Sequence, residues 1–134
     1  MTGAERRKRV LFVCVENCNR SPMAEAFARL YGAGQVEAFS AGCRPAASVH
    51  PKAVAAMREL GYDLGRHQAK ALSDLPDVEL DVAVTMGCGE LCPPLRAEVR
   101  EDWNVPCPKA MPPEQFRRVR DLIGEKVKAL LARL

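Results

Sequence analysis

Apolar positions along the chain alternate between two spacings, which predicts strands and helices in turn. Three short segments with apolar and β-branched residues fit strands, residues 9–13, 36–41 and 80–85, and residues 99–103 fit a short fourth strand. Three longer segments carry apolar residues at helical spacing: residues 23–31, 51–60 and 116–134. Ser21 and Pro22 predict a helix start, as a capping residue followed by proline, and Gly61 predicts a helix end.

This order of elements predicts an α/β fold. We expect a single three-layer domain with a central parallel sheet of about four strands flanked by helices. A chain of 134 residues suffices for one such domain, and we divide it into a basic tail, residues 1–8, and a domain, residues 9–134. Ligands of parallel sheets bind outside the carboxyl ends of the strands. Cys14 and Cys88 follow the first and third predicted strands, so we expect them at the same edge.

Charge and hydropathy exclude several classes of protein. The net charge is +3, and the one dense basic run, residues 6–9, is interpreted as a solvated tail, so no nucleic-acid surface is predicted. The apolar run at residues 10–15 is too short for a signal peptide, and no stretch reaches membrane-spanning length. We therefore expect a cytoplasmic protein without a membrane contact. In the reducing cytoplasm, cysteines serve as core filler, metal ligands or reactive thiols, and Cys43 is interpreted as core filler.

The segment between the first strand and the first helix carries the candidate chemistry. Unpaired amides at a helix start form an anion site, and the Arg20 guanidinium suits two oxygens of a tetrahedral anion. The same field favours the thiolate of Cys14, to which Ser21 can donate a hydrogen bond. Such a thiolate can attack phosphorus or arsenic. The predicted anion-binding residues are Val15, Glu16, Asn17, Cys18, Asn19 and Arg20.

Residues 10–29, VLFVCVENCNRSPMAEAFAR, resemble the opening of the low-molecular-weight protein tyrosine phosphatase superfamily, which includes thioredoxin-type arsenate reductases. The resemblance continues through residues 39–42 and 61–63, so residues 9–134 are expected to form a catalytic domain of that type with a phosphate-binding loop after the first strand. It implies that Cys14 is the nucleophile and Arg20 the anion clamp, and that Asn17 shapes the loop.

The two branches of this superfamily need different second groups. A phosphatase needs a general acid, and the aspartate motif of that branch, with its adjacent tyrosines, is absent from the last third of the chain. A reductase needs further thiols, and residues 84–93, VTMGCGELCP, are similar to the thiol-relay region of arsenate reductases. The resemblance implies that Cys88 attacks Cys14, that Cys92 attacks Cys88, and that thioredoxin or a low-molecular-weight thiol system reduces the last disulfide.

The function expected is therefore arsenate reduction by a monomer that needs a thioredoxin-like partner and no tightly bound cofactor. A phosphatase that hydrolyses phosphate monoesters through Cys14 is the first alternative, and a non-catalytic oxyanion or thiol-metal sensor is the second. A closed zinc site is a further alternative, since four cysteines have suitable spacing: Cys14, Cys18, Cys88 and Cys92. Cys18 is interpreted as a bystander or as an oxidative trap for Cys14.

One residue departs from the family pattern, and four others match a potassium site of the family. Where arsenate reductases carry an aspartate before the proline that follows their tryptophan, this chain has Cys107, which puts proton donation in doubt. Glu101 or Asp102 could substitute, and Cys107 could instead join the thiol relay. Family members also bind potassium beside the loop. The positions that hold it match Asn17, Glu25, Ser40 and Asp63 in this chain, and the alternative role of these residues is ordinary hydrogen bonding.

Overall fold

The structure, a computed structural model, describes residues 7–87 and 95–134. Its strands are β1 (Lys8–Cys14), β2 (Val36–Gly42), β3 (Val82–Thr85) and β4 (Val99–Asp102). Its α-helices are α1 (Arg20–Tyr31), α2 (Pro51–Arg58) and α3 (Pro113–Arg133). Two short 3₁₀ turns, Leu64–Arg66 and Leu72–Asp74, lie between α2 and β3. The strands and helices lie where the hydrophobic pattern predicts them, with ends that differ by a few residues.

The four strands form one parallel sheet in the order β2-β1-β3-β4. The central strand β1 pairs with both β2 and β3, which brings Cys14 level with Gly42, and Val13 level with Thr85. The carboxyl ends of these three strands therefore meet at one edge, as the sequence predicts. The expected α/β class and the expected number of strands are both confirmed.

The core lies mainly on one face of the sheet. Val10 and Phe12 of β1 point to this face and pack, in a single buried cluster, with residues of all three α-helices. Leu11 and Val13 point to the other face, where partly buried residues such as Leu72 cover them. Because β1 is central, both of its faces are buried, which explains its nearly continuous apolar sequence.

Helix α1 begins before the position predicted from the sequence. The sequence predicts Ser21 as the N-cap, but the helix begins at Arg20, and the N-cap residue is Asn19, whose side chain makes no capping hydrogen bond. The prediction is wrong because the Ser21 hydroxyl is used elsewhere, beside Cys14. The N-cap side chain therefore leaves the first amides of the helix uncapped, as an anion site requires.

Helix α3 packs against α1 and α2 through one apolar face that includes Phe116 and Ile123. Arg120 is buried on the same helix, where its Nη1 donates to the Ala56 carbonyl at 3.0 Å and to the Glu59 carboxylate at 2.6 Å. A buried guanidinium is tolerated here because its charge is paired. None of the helices in residues 7–87 and 95–134 is long and apolar enough to cross a lipid bilayer.

Candidate active site

The connection from β1 to α1, residues 14–21, forms a loop at the carboxyl edge of the sheet and is called the anion loop below. Its carbonyl oxygens at Val15, Glu16 and Cys18 accept hydrogen bonds of 2.8–2.9 Å from backbone amides in the segment 44–50. These bonds turn the carbonyl oxygens away from an incoming anion and hold the loop in place. The backbone thus presents its positive, amide side to the space above Cys14.

Gly42 allows this loop to lie directly against the end of β2. A side-chain carbon at position 42 would stand 2.7 Å from the Val15 carbonyl oxygen and 2.8 Å from the Asn17 amide nitrogen. Both are backbone atoms, so they cannot move aside without deforming the loop. The glycine that follows Phe39-Ser40-Ala41 in the sequence is therefore required by the close approach of two backbone segments.

Cys14 is buried at the base of the loop, with 2% of its surface exposed. Its Sγ lies 2.9 Å from the Ser21 Oγ, and the Ser21 amide donates to the same sulfur at 3.4 Å. The Asn17 Nδ2 donates to the Ser21 Oγ at 2.8 Å. A thiolate sulfur carries no hydrogen and can only accept, so with Cys14 ionised the Ser21 hydroxyl is the donor in this contact. Two donors therefore stabilise a thiolate at Cys14.

Asn17 holds the turn of the loop and links it to a distant segment. Its φ of 51° lies in the left-handed region, which asparagine adopts more readily than most residues. Its Oδ1 accepts a 2.9 Å hydrogen bond from the backbone amide of Lys70. The sequence indicated Asn17, but it gave no signal for Lys70, which is 53 residues away along the chain.

Arg20 lies at the first position of α1 and is 8% exposed. Its Nη1 donates to the Val105 carbonyl oxygen at 3.0 Å. Gly87, which has a φ of 79°, lies directly against the guanidinium, and a side-chain carbon there would collide with the Arg20 Nη1. The guanidinium is therefore held from two sides by residues that sequence reasoning did not assign to the site, and its planar fork is preorganised for an oxyanion.

The segment that follows β4 crosses the mouth of the anion loop. Val105 is buried against Arg20, and the Lys109 Nζ lies 3.3 Å from the Glu16 Oε1. Cys107, between these two contacts, is exposed. We call residues 104–109 the strap. Its two contacts reach opposite parts of the anion loop, and no carboxyl side chain lies within residues 104–108.

The two carboxylates that precede the strap are engaged in other hydrogen bonds. Glu101 accepts from the Trp103 Nε1 at 2.9 Å and forms an ion pair with Arg133 at 2.9 Å. Asp102 accepts from the Thr85 hydroxyl at 2.7 Å. The Arg133 hydrogen bond outweighs partial burial and lowers the pKa of Glu101, so this group is a poor proton donor at neutral pH. The suggested replacement of the family aspartate by Glu101 therefore has no support in the geometry.

Cys18 and Asn19 form the buried wall of the loop, with 5% and 2% of their surfaces exposed. Burial, together with the negative charge of Glu16, raises the pKa of the Cys18 thiol to about 11. The Asn19 Nδ2 donates to the Cys18 Sγ at 3.6 Å, but the Asn19 Oδ1 is a buried side-chain atom with no hydrogen-bond partner within the described residues. A buried acceptor without a donor is costly, so we expect a donor from solvent or from a bound oxyanion there.

Glu25 lies behind the loop in a network of charged groups. Its carboxylate accepts from the Ser40 hydroxyl at 2.6 Å and pairs with Arg29 at 2.8 Å. Burial alone raises the pKa of Glu25, but the nearby His67 and the hydrogen bond from Ser40 outweigh it, and the pKa falls below its usual range. His67 and Lys70 lie 3.7 Å and 4.0 Å from the same carboxylate.

These contacts bear on the potassium positions indicated by the sequence. Asn17 binds the Lys70 amide, and Asp63 accepts from the Gly65 amide and pairs with Arg66 at 3.3 Å. Glu25 and Asp63 line one cavity, together with several basic side chains. A carboxylate already surrounded by cationic groups gives a metal cation little further attraction. We therefore derive no step through a bound potassium ion, and the potassium site stays a prediction.

The remaining candidate residues, Cys88 and Cys92, lie outside the described residues. The end of β3 at Thr85 and the adjacent Gly87 reach the anion loop, which is the edge where the sequence predicts Cys88 to lie. Cys43 is half-buried and packs beside the smaller hydrophobic cluster, consistent with core filler. The alternative of a zinc site formed by four cysteines includes Cys88 and Cys92, so it stays open.

Comparisons with known proteins show the family to which this chain is similar. Residues 9–134 match the family model described as "Low molecular weight phosphotyrosine protein phosphatase". The chain is 37% identical over 130 residues to the glutaredoxin arsenate reductase of Synechocystis sp., and the match covers 95% of this chain and 98% of that protein. It is 33% identical over 125 residues to arsenate reductase 2 of Staphylococcus saprophyticus, covering 91% of this chain and 95% of that protein.

Solved structures give the same result. The fold matches an arsenate reductase in the phosphate binding state with a TM-score of 0.86 and 37% identity, over 94% of this chain and 98% of that one. It also matches an arsenate reductase in an oxidized state with a TM-score of 0.85 and 36% identity, over the same shares of the two chains.

Proposed function

The chain belongs to the low-molecular-weight phosphotyrosine protein phosphatase family, and from this premise we propose that it is an arsenate reductase, which converts arsenate to arsenite with electrons from its own thiols. The buried Cys14 sulfur, with Ser21 as donor on one side and the helix start and Arg20 above it, carries the proposal. Proteins named arsenate reductases are similar over nearly the whole chain, and one of them is described in a phosphate binding state, which supports a tetrahedral oxyanion as substrate.

The first step takes place within the anion loop. The loop amides and the Arg20 fork hold the oxygens of arsenate, and the Cys14 thiolate attacks arsenic. An S–As bond forms, and one oxygen leaves arsenic as water once it has been protonated. The unpartnered Asn19 Oδ1 favours this substrate, because arsenate at neutral pH carries a hydroxyl that can donate, whereas the dianion of a phosphate monoester carries none.

The second step reduces arsenic. A second thiolate attacks the Cys14 sulfur, the electron pair of the S–As bond passes to arsenic, and arsenite leaves as a disulfide forms. We propose Cys88 as this second thiol and Cys92 as the thiol that then attacks Cys88. Relatives solved in reduced and oxidized states support a thiol–disulfide cycle of this kind.

The cycle needs an external reductant and no tightly bound cofactor. We propose that thioredoxin, or a low-molecular-weight thiol system, reduces the final disulfide. One relative is named a glutaredoxin arsenate reductase, and a more distant one is named thioredoxin-dependent, so both kinds of reductant occur among similar proteins. A cytoplasmic location, where such reductants are maintained, and a monomeric state complete the proposal.

The test is a single turnover without oxygen. Reduced protein is incubated anaerobically with arsenate, arsenite is counted, and the linked cysteines are mapped by mass spectrometry. We expect one arsenite per chain and a Cys88–Cys92 disulfide, and we expect Cys14→Ser to give neither. A protein that binds arsenate tightly but releases no arsenite would contradict the proposal and would favour an oxyanion sensor.

Phosphate-ester hydrolysis is the second candidate, because the same loop can hold a phosphoryl group and the family is named for that activity. Hydrolysis also needs a proton donor for the leaving oxygen. The strap offers only the thiol of Cys107 at that place, and Glu101 is bound to Arg133. We therefore propose that any hydrolysis of aryl phosphates is slow compared with arsenate reduction.

A further inference from the structure

We propose that Cys107 is a further catalytic residue, a thiol that can attack the Cys14–arsenic adduct directly and release arsenite as a Cys14–Cys107 disulfide forms. This inference rests on the proposed arsenate reduction. It adds a second route beside the relay above, in which the attacking thiol comes from the strap and not from the residues that follow β3.

The strap is attached to the anion loop on both sides of Cys107. Two residues before it, the Val105 carbonyl accepts from the Arg20 Nη1 at 3.0 Å. Two residues after it, the Lys109 Nζ lies 3.3 Å from the Glu16 Oε1. Cys107 lies two residues from the Val105 contact, and two residues span at most about 7 Å, so the backbone of Cys107 stays near the Arg20 end of the anion loop.

The exposure of the thiols in this region differs sharply. Cys14 and Cys18 are 2% and 5% exposed, whereas Cys107 is exposed. The charge of Cys107 adds to the effects that raise the pKa of the Cys18 thiol, although burial is the largest of them, so the strap thiol lies within electrostatic range of the loop wall. Cys18 itself is a poor second nucleophile, because its pKa of about 11 leaves little thiolate at neutral pH. Within residues 7–87 and 95–134, Cys107 is the exposed thiol beside the loop.

A second observation points to a ligand at this wall. The Asn19 Oδ1, buried beside the Cys18 Sγ, accepts no hydrogen bond in the part of the chain that the structure describes. A protonated oxyanion bound in the loop would supply that donor. Because the strap contacts the same loop through Val105 and Lys109, we expect an adduct formed on Cys14 to lie within range of the strap thiol.

The step balances without an added oxidant. Arsenate oxidises two thiolates: the Cys107 thiolate attacks the Cys14 Sγ, the S–S bond forms, and the S–As electron pair reduces As(V) to As(III). Arsenite departs from the mouth of the loop. An external thiol then restores Cys14 and Cys107 by thiol–disulfide exchange and is oxidised to its own disulfide.

The experiment removes the competing relay. The double variant Cys88→Ser, Cys92→Ser is incubated anaerobically with arsenate, and arsenite and disulfides are quantified after a single turnover. We expect close to one arsenite per chain and a Cys14–Cys107 linkage. Adding Cys107→Ser to this background is expected to lower the arsenite yield at least tenfold. Adding Cys43→Ser instead is the matched control and is expected to leave the yield unchanged, since Cys43 packs beside the hydrophobic cluster.

The outcomes separate the two proposals. If the wild type makes arsenite but the double variant makes none, or links Cys14 to another cysteine, the role of Cys107 is wrong and the proposed function stands. If the wild type makes no arsenite, the proposed function itself fails. Because Cys107 is exposed, its replacement by serine is not expected to impair folding, and thermal unfolding of each variant verifies this.

Discussion

The Ser21 hydroxyl oxygen lies 2.9 Å from the Cys14 sulfur, and the Asn17 amide donates to that same oxygen at 2.8 Å. Ser21 is thus placed to donate to a thiolate at Cys14, and it does not cap the helix. This arrangement places a hydrogen-bond donor against the nucleophile before any substrate binds, so the loop is preorganised for a thiolate.

Replacing Ser21 with alanine removes this donor. A hydrogen bond to a charged group contributes about 1.5–3 kcal/mol, so we expect arsenate reduction to slow by roughly 10- to 100-fold. Single-turnover rates with saturating arsenate measure the effect, and arsenate binding should be nearly unchanged because Arg20 remains. Ser73→Ala, at an exposed position in the short turn Leu72–Asp74, is the control. A rate within twofold of the wild type would mean that the Ser21 hydroxyl does not stabilise the thiolate.

Replacing Gly87 with alanine tests the support of the clamp. The added carbon would collide with the Arg20 Nη1, so we expect the guanidinium to shift and the KM for arsenate to rise about tenfold or more. Kinetics over a range of arsenate concentrations give this value.

Gly34 supplies the matched control for Gly87. It has a similar φ of 84°, but a side-chain carbon there meets no atom within 4 Å. Gly34→Ala should therefore lower stability by roughly 1 kcal/mol, through backbone strain alone, and leave KM unchanged. Equal changes of KM in the two variants would show that strain, and not contact with Arg20, is responsible.

Cys18 should resist alkylation far above neutral pH. Burial raises its pKa to about 11, so at pH 8 only about one Cys18 in a thousand is a thiolate. Iodoacetamide labelling followed by peptide mass spectrometry should modify the exposed Cys107 well before Cys18. Rapid labelling of Cys18 at pH 8 in folded protein would contradict this environment and would reopen its role as a trap for Cys14.

Replacing Cys107 with aspartate restores the carboxyl group that the family resemblance places before this proline. A positioned general acid accelerates proton transfer by roughly 10²–10⁴-fold, so we expect hydrolysis of an aryl phosphate to rise at least tenfold. Cys107→Ser is the control, because it removes the thiol without adding an acid. The same rate in the aspartate and serine variants would mean that the strap does not reach the leaving oxygen.

Glu25 predicts an acid-dependent loss of stability. The pKa of Glu25 is lowered in the folded protein, so the folded state binds its proton less readily than the unfolded state does. This stability is present above the ordinary value of 4.5 and is lost as the pH falls below it toward the folded pKa. Denaturant unfolding between pH 3 and pH 7 measures it.

Glu25→Gln should remove most of this pH dependence and cost about 1–3 kcal/mol at pH 7, because charged hydrogen bonds to a buried group are lost. Glu125→Gln is the control, since Glu125 is 74% exposed and pairs only weakly with Lys128 at 3.8 Å. A pH profile of Glu25→Gln that matches the wild type below pH 5 would mean that other carboxylates govern acid unfolding.

The sequence by itself determined the class of fold and the position of the chemistry. An apolar run ending at Cys14, followed by Arg20 and a helical pattern, is a local signal, because strand burial and helix periodicity depend on neighbouring residues. For the same reason the four strands were predicted within a few residues of their observed ends. The family resemblance added roles, but the anion loop is visible in the pattern alone.

Only the tertiary structure decided what surrounds that loop. Lys70 reaches Asn17, and Val105 reaches Arg20, through backbone groups, which every residue carries and which therefore leave no trace in residue type. The helix start was misplaced for a related reason, since Ser21 can cap a helix or bind a sulfur, and the choice depends on where Cys14 lies in space. The sheet and its crossovers bring the ends of distant strands together, and this creates contacts between segments far apart in the chain. The pattern of residue types along the chain does not specify which backbone groups then meet.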